Sequence, residues 1–252
     1  ERIIKMNHGD MAILYVNSHH GDFKYVAEAN KSAASFKRYI PNAKYYLYTD
    51  KEIQDKSLIS EFDEVRVTDF SFPSFMENRV HLNGQMVAKH RAMLELKEDV
   101  IMYLGADTYA LKDSVSSLPM LMEKFDIALA HAPVRINTEL GNSVIEDVPE
   151  CFPELNCDII LYRNNEGNRQ LIRDWSESYL NDRFGHPHDQ GPFRYHVYHS
   201  QLRLYVLPPE FNYREFAYRN DTAILQNRFV LDDYLNPKKK SLLTKIKQKL
   251  LS

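Results

Sequence analysis

Val100-Ile-Met-Tyr-Leu104, followed by Gly105-Ala106-Asp107-Thr108-Tyr109-Ala110-Leu111, is the stretch on which the fold turns. Five apolar residues without alternation describe a strand buried on both faces, and the polar turn after it marks where that strand ends. Asp107 stands just past that end. In open parallel sheets, ligands collect at the carboxyl ends of strands, where loops diverge and backbone groups are free. A carboxylate there has two readings. It holds a hard cation that bridges a diphosphate, or it caps the next turn.

Outward from this strand the pattern repeats. Met11–Asn17 is another short apolar run, and Phe23, Val26, Ala29, Ala33 and Phe36 then recur at helical spacing until Pro41. Tyr45–Tyr48 and Glu64–Val67 read as strands, and residues 80–96 as a long helix leading into Val100. Ile127–Ala130, Ile159–Tyr162 and Leu204–Leu207 are further strands, with helices predicted around Trp175 and through Tyr195 and Tyr198. Tyr45, Tyr46, Tyr48, Tyr195 and Tyr198 read as half-buried core. Strands alternating with helices give an α/β fold with a mostly parallel, Rossmann-like central sheet flanked by helices. No linker separates two units. The chain reads as one domain over 1–235, with a donor half at about 11–135 and an acceptor half at about 136–235.

Composition narrows the function. The eight glycines never fall into the spacings of a dinucleotide fingerprint, a phosphate-binding P-loop or a nucleophile elbow, which sets those enzyme classes aside. Cys151 and Cys157 form no metal-type cluster and suit a reducing, cytoplasmic interior. Six of the basic residues lie in a C-terminal segment, 236–252, that contains no acid, leaving 26 basic against 35 acidic residues elsewhere. An acidic body argues against nucleic acid as a partner. Asn236-Pro237 reads as a helix start, and Leu242, Leu243, Ile246 and Leu250 recur beyond it among lysines. That is the composition of an amphipathic tail lying on an anionic membrane, or of a solvated terminus.

The order of several motifs carries a resemblance. VIMYLGADTYAL (100–111) resembles the "YLDADT" strand of GT-A glycosyltransferases, whose DxD motif holds a metal and the donor diphosphate. LYTD (47–50) together with the end of the first strand at Asn17 resembles the nucleotide-facing strand ends of that fold. FPELNCDIILYR (152–163) is similar to "FPEFNSGVILF", His188-Asp189-Gln190 to a "DQ" motif, and LPPEFNYR (207–214) to "LPPEYNxR". The layout resembles the bacterial nucleotide-diphospho-sugar transferases grouped with glycogenin and the lipooligosaccharide galactosyltransferases.

The resemblance implies a hexosyltransferase that uses a nucleotide-diphosphate sugar, most simply a UDP-sugar, with a glycan or glycolipid as acceptor. It implies donor-binding roles for Asn17, Asp50, Lys89, Asp107 and Arg228, and catalytic roles for Asn156, Asp158, Asp189 and Gln190. His131 and Arg135 would touch the acceptor or sugar. The first acid of the DxD is here Gly105, the glycine of the "NSG" turn is Asp158, and Gln226 replaces a metal-binding histidine. A Mn²⁺ or Mg²⁺ site built on Asp107, with Asp158 compensating, is therefore expected to be weak. Three outcomes stay open: a metal held differently, basic side chains in its place, or a catalytically silent module that binds sugar nucleotides or glycans. Retention or inversion stays open as well, with the glycogenin-like layout leaning to retention.

Overall fold

The computed structural model describes residues 11–19, 23–76, 83–132, 145, 147–184 and 188–236. Arg135, His186 and the tail beyond Asn236 lie outside them, as do residues 80–82 of the predicted long helix.

Seven strands form the central sheet. β1 (Met11–Val16), β2 (Lys44–Thr49), β3 (Glu64–Val67) and β4 (Val100–Leu104) come first, followed by β6 (Ile127–His131), β7 (Leu155–Arg163) and β8 (Leu204–Val206). Their spatial order is β3-β2-β1-β4-β7-β6-β8. β1 and β4 sit at its centre with every residue buried. Met11, Ile13 and Tyr15 enter one core, while Ala12, Leu14 and Val16 enter the other. A strand covered on both faces needs apolar side chains in both directions, which explains the uninterrupted runs.

Helix α1 (Lys24–Lys37) covers the first face through Val26, Ala29, Ala33 and Phe36. Helices α2 (Asn83–Glu95) and α3 (Glu166–Leu180) cover the other, with Trp175 wholly buried. Asn165 caps α3 by accepting from the Asn168 amide at 2.9 Å. Phe23, read from spacing as the first residue of α1, instead precedes it with φ of 54°. Tyr45, Tyr46 and Tyr48 are fully buried rather than half-buried, because β2 is also covered on both faces.

One strand departs from the parallel scheme. β7 pairs antiparallel with both β4 and β6, whereas the β1–β2, β2–β3, β1–β4 and β6–β8 pairs are parallel. Its reversal matters for the site. The beginning of β7 lies at the carboxyl end of β4, with Ile159 opposite Leu104 and the Gly105 amide donating to the Asp158 carbonyl at 2.8 Å.

Two elements escaped the periodicity reading because they are only three residues long. β5 (Thr108–Ala110) and β9 (Ile224–Gln226) form a separate antiparallel ribbon that places Gln226 opposite Thr108. A 3₁₀ stretch at Asp113–Glu123, shorter 3₁₀ turns at Lys56–Ile59, Ser74–Met76, Pro209–Phe211 and Arg228–Val230, helix α4 (Gln190–His199) and the short α5 (Leu231–Leu235) complete the described elements. The two halves of the chain, about 11–135 and 136–235, share one sheet, since β7 of the second lies between β4 and β6 of the first.

Candidate active site

The sheet places its polar residues at one edge. Asn17 follows β1, Asp50 follows β2, Asp107 follows β4 and His131 ends β6, while Asn156 and Asp158 open the reversed β7.

At the ends of β1 and β2, Asn17 Oδ1, Ser18 Oγ and Thr49 Oγ1 are buried without a hydrogen-bond partner among the described residues. An unsatisfied buried polar group costs about 1–3 kcal/mol, so three together mark a place where a ligand edge would be favoured. Beside them Asp50 is held firmly, accepting from the His19 amide at 2.8 Å and facing His19 Nδ1 at 2.5 Å.

Asp158 is fixed by an amide chain. Gln226 Nε2 donates to Asp158 Oδ2 at 2.6 Å, and Asn156 Nδ2 donates to Gln226 Oε1 at 3.1 Å. Asn156 Oδ1 accepts in turn from the Asp158 backbone amide at 2.6 Å. A Cβ at position 105 would lie 3.0 Å from Asp158 Cβ and 3.2 Å from its Cγ, so only glycine leaves that side chain its room. Asp107 lies beyond, 3.7 Å from an Arg228 nitrogen, and Arg228 also meets Glu28 at 2.9 Å. Burial raises the proton affinity of Asp107 above the ordinary carboxylate range, the nearby Asp158 charge raises it further, and Arg228 and Arg214 oppose the shift.

Lys89 and Asp189 form a separate, buried ion pair linking α2 to the start of α4. Burial alone would pull the Lys89 ammonium down, yet the Asp189 carboxylate more than reverses this and keeps it charged. Asp189 is likewise held below the ordinary carboxylate range, with Lys89 and then His90 outweighing the cost of burial. The ammonium lies 4.7 Å from the Trp175 ring centre and 5.3 Å from that of Tyr103, and Trp175 Nε1 donates to the Asp189 carbonyl at 2.7 Å. Asp189 makes no side-chain cap to α4, so its position there serves the ion pair and not the helix end.

Two cavities open here. One of about 230 Å³ is walled by Lys89, Tyr103, Asp158, Asp189, Gln190 and Arg214. A second, of about 240 Å³, holds His131, Asn212 and again Arg214. Arg214 thus stands in the wall common to both. Sequence reasoning quoted it within LPPEFNYR without assigning it a role, because its place depends on how that segment crosses the sheet edge. Gln226 was read as a lost ligand; its bonds to Asn156 and Asp158 follow from the β5/β9 register, which no periodicity reveals.

No family model matches this sequence, and no curated protein matches it either. Solved structures do. The galactosyltransferase LgtC in complex with donor and acceptor sugar analogs superposes with a TM-score of 0.58 at 13% identity, over 86% of this chain and 87% of that one. The apo form of the glycosyltransferase GlyE from Streptococcus pneumoniae TIGR4 gives 0.58 at 14% identity over 86% of this chain, which spans about half (54%) of GlyE. The mannosyltransferase Ktr4p from S. cerevisiae, in complex with GDP, gives 0.51 at 9% identity over 73% of this chain and 65% of that one. The chain has the GT-A glycosyltransferase fold. Among the described residues no helix is long and apolar enough to cross a membrane.

Proposed function

We propose that this chain is a nucleotide-sugar-dependent glycosyltransferase that moves a hexose from a UDP-sugar to a glycan or glycolipid acceptor. One observation carries the reading. On a GT-A fold, the unpartnered polar atoms of Asn17, Ser18 and Thr49 share a sheet edge with the Asp107 and Asp158 carboxylates. The former suit the hydrogen-bonding edge of a nucleotide, the latter the diphosphate region and the sugar.

The donor set at that edge suits a hard divalent cation in charge, since Asp107 and Asp158 are close enough for one to raise the proton affinity of the other. Mn²⁺ or Mg²⁺ would be held by these two carboxylates and the donor's own diphosphate, and would supply charge neutralisation of the leaving group. The chain's own residues do the rest of the positioning. Gln226 turns an N–H toward Asp158 and so fixes its carboxylate plane. Arg228 brings a permanent cation beside Asp107, and Arg214 brings another to the cavity that Asp158 lines. Lys89 is already neutralised by Asp189, which makes it a positioning residue for α4, and Arg228 is engaged by Glu28 and Asp107, so Arg214 is the arginine left to meet diphosphate charge. Gln190, at the first turn of α4, and His131, in the adjoining cavity, are placed for sugar and acceptor contacts. Oriented binding of donor and acceptor, with fixed charge at the diphosphate, lowers the barrier without a dedicated base.

Calorimetric titration of UDP with and without Mn²⁺, followed by a UDP-sugar hydrolysis assay, tests this. UDP binding with hydrolysis that Asp107→Asn abolishes supports the transferase. UDP binding without hydrolysis under any metal condition identifies the silent binding module instead, favoured by the missing acid at Gly105. No UDP binding removes both readings. The lysine-rich segment 236–252 is assigned to a peripheral contact with anionic membrane at the cytoplasmic face. Vesicle sedimentation comparing the full chain with a form ending at Asn236 checks that assignment, and equal binding by both forms would sink it.

A further inference from the structure

A cavity larger than the two above lies away from that site. A groove of about 470 Å³ runs between α1, β5 and α5. Lys31, Ala34, Ser35 and Arg38 present one stripe of α1 to it, at i, i+3, i+4 and i+7. Lys112, just after β5, faces them, and Tyr39, Tyr218 and Tyr234 contribute aromatic walls. No acidic side chain lines it among the described residues.

That composition runs against the rest of the molecule, whose body is acidic. Arg219, also in the wall, is neutralised by Asp221 and by Glu210 at 3.1 Å. Lys31, Arg38 and Lys112 have no carboxylate partner within 4.0 Å among the described residues. Three like charges around one concave volume raise the local potential, offset in part at Lys112 by the nearby Asp221 carboxylate, and so favour an anion in the groove. One carboxylate would leave most of that charge unmatched, whereas a phosphate ester brings up to two charges and several acceptor oxygens. Guanidinium and ammonium groups suit it as a fork and a point charge, and the tyrosine rings offer flat apolar faces to an attached sugar or glycerol.

We propose that this groove is a second binding site for a phosphate ester, carried by a sugar or by a lipid headgroup, apart from the nucleotide edge. The ribbon joins the two places. Thr108 and Gln226 flank the site end, and Ala110 and Ile224 the groove end, about 7 Å further along the strands. Tyr109, buried in the groove wall, donates to Glu28 at 2.7 Å, and Glu28 holds Arg228 beside Asp107.

The test is a calorimetric titration of the full chain with glucose 6-phosphate, with free glucose as control, alongside sedimentation of the form ending at Asn236 with phosphatidylglycerol vesicles, which keeps segment 236–252 out of the vesicle readout. Both are repeated on the Lys31→Gln, Arg38→Gln, Lys112→Gln triple variant and on Lys112→Glu alone. UDP titration of each variant reports the nucleotide edge separately, so failure here is distinguishable from failure of the transferase reading. The expected result is phosphate-dependent binding that weakens with salt and falls at least tenfold in the triple variant, with UDP binding kept. Vesicle binding lost in the variants, without glucose 6-phosphate binding by the parent chain, places the phosphate on a lipid and also supports the site. Binding of neither probe by the parent chain overturns the proposal. So does binding of either that both variants leave unchanged.

Discussion

The Asp158 side chain crowds the place of a side chain at Gly105: a Cβ at 105 would approach Asp158 Cβ to 3.0 Å and Oδ1 to 3.3 Å. The two positions are neighbours because β7 runs antiparallel to β4 and starts where β4 ends. A glycine at one strand end thus faces an acid on the adjoining strand. The two positions are coupled, since a side chain at 105 would push the Asp158 side chain aside by a few tenths of an ångström.

Gly105→Ala is therefore expected to destabilise the fold by about 1–2 kcal/mol, a fall in Tm of roughly 2–8 °C for a domain of this size. In an Asp158→Gly background the same change should cost less than half as much. Thermal unfolding of the two single variants and the double variant measures this coupling. Additive effects would show that the contact carries no energy.

The Lys89–Asp189 pair calls for a different cycle. Both groups are buried, so removing one leaves the other charged without water. Lys89→Met and Asp189→Leu should each cost about 3–5 kcal/mol, whereas the two together should recover much of the loss. Acid should act the same way. Asp189 is held below its ordinary range, so its contribution is present above the unfolded-state value near pH 4 and is lost as pH falls through the lower folded value. Urea unfolding of the three variants decides it; a double variant no more stable than the worse single would remove the pair from the account.

Gln226 offers a gain-of-function test. Its amide lies 2.6 Å from Asp158, so an imidazole at this place would face the same carboxylate with a nitrogen able to ligate. Gln226→His should raise Mn²⁺ affinity in the presence of UDP by about tenfold or more, read by calorimetry or by the relaxation of water protons. Unchanged affinity would mean that the Asp107–Asp158 region is not where a cation settles.

How much of this was legible beforehand follows from length and register. Strands such as Val100–Leu104 are long enough and apolar enough to declare themselves, and most lie within a residue or two of their expected place, whereas β7 begins at Leu155, four residues before the expected Ile159. The three-residue strands β5 and β9 carry no period to detect, so Gln226 could be named as a substitution but not as the partner of Asn156 and Asp158. Direction is also silent in sequence: Ile159–Tyr162 reads the same whether parallel or reversed, and the meeting of Gly105 with Asp158 depends on reversal. Lys89 shows the third limit. A lysine on a helix reads as solvated or ligand-facing, and only packing against Trp175 and Asp189 makes it a buried cation.

Glu154, which sequence reasoning passed over, gives the last prediction. It is fully buried immediately before β7, and neither carboxyl oxygen has a hydrogen-bond partner among the described residues. Burial pushes its pKa up to about 7, with only Arg194 opposing. The folded state therefore keeps a proton that the unfolded chain releases above about pH 4.3. Stability is undiminished below that value, falls as pH rises toward 7, and is level beyond it, a total loss on the order of 3 kcal/mol. Glu154→Gln removes the titration while keeping the shape, so urea unfolding at pH 5 and pH 8 should show a smaller difference for the variant than for the parent chain. The carbonyl of Glu154 accepts from Ala132 at 3.0 Å, and Asn156 follows two residues later, so a charge forced onto Glu154 loosens the strand start that fixes Asp158. The same variant should then hold its UDP affinity above pH 7 better than the parent. Equal pH slopes in the two proteins would show that Glu154 is ionised and solvated in the folded state.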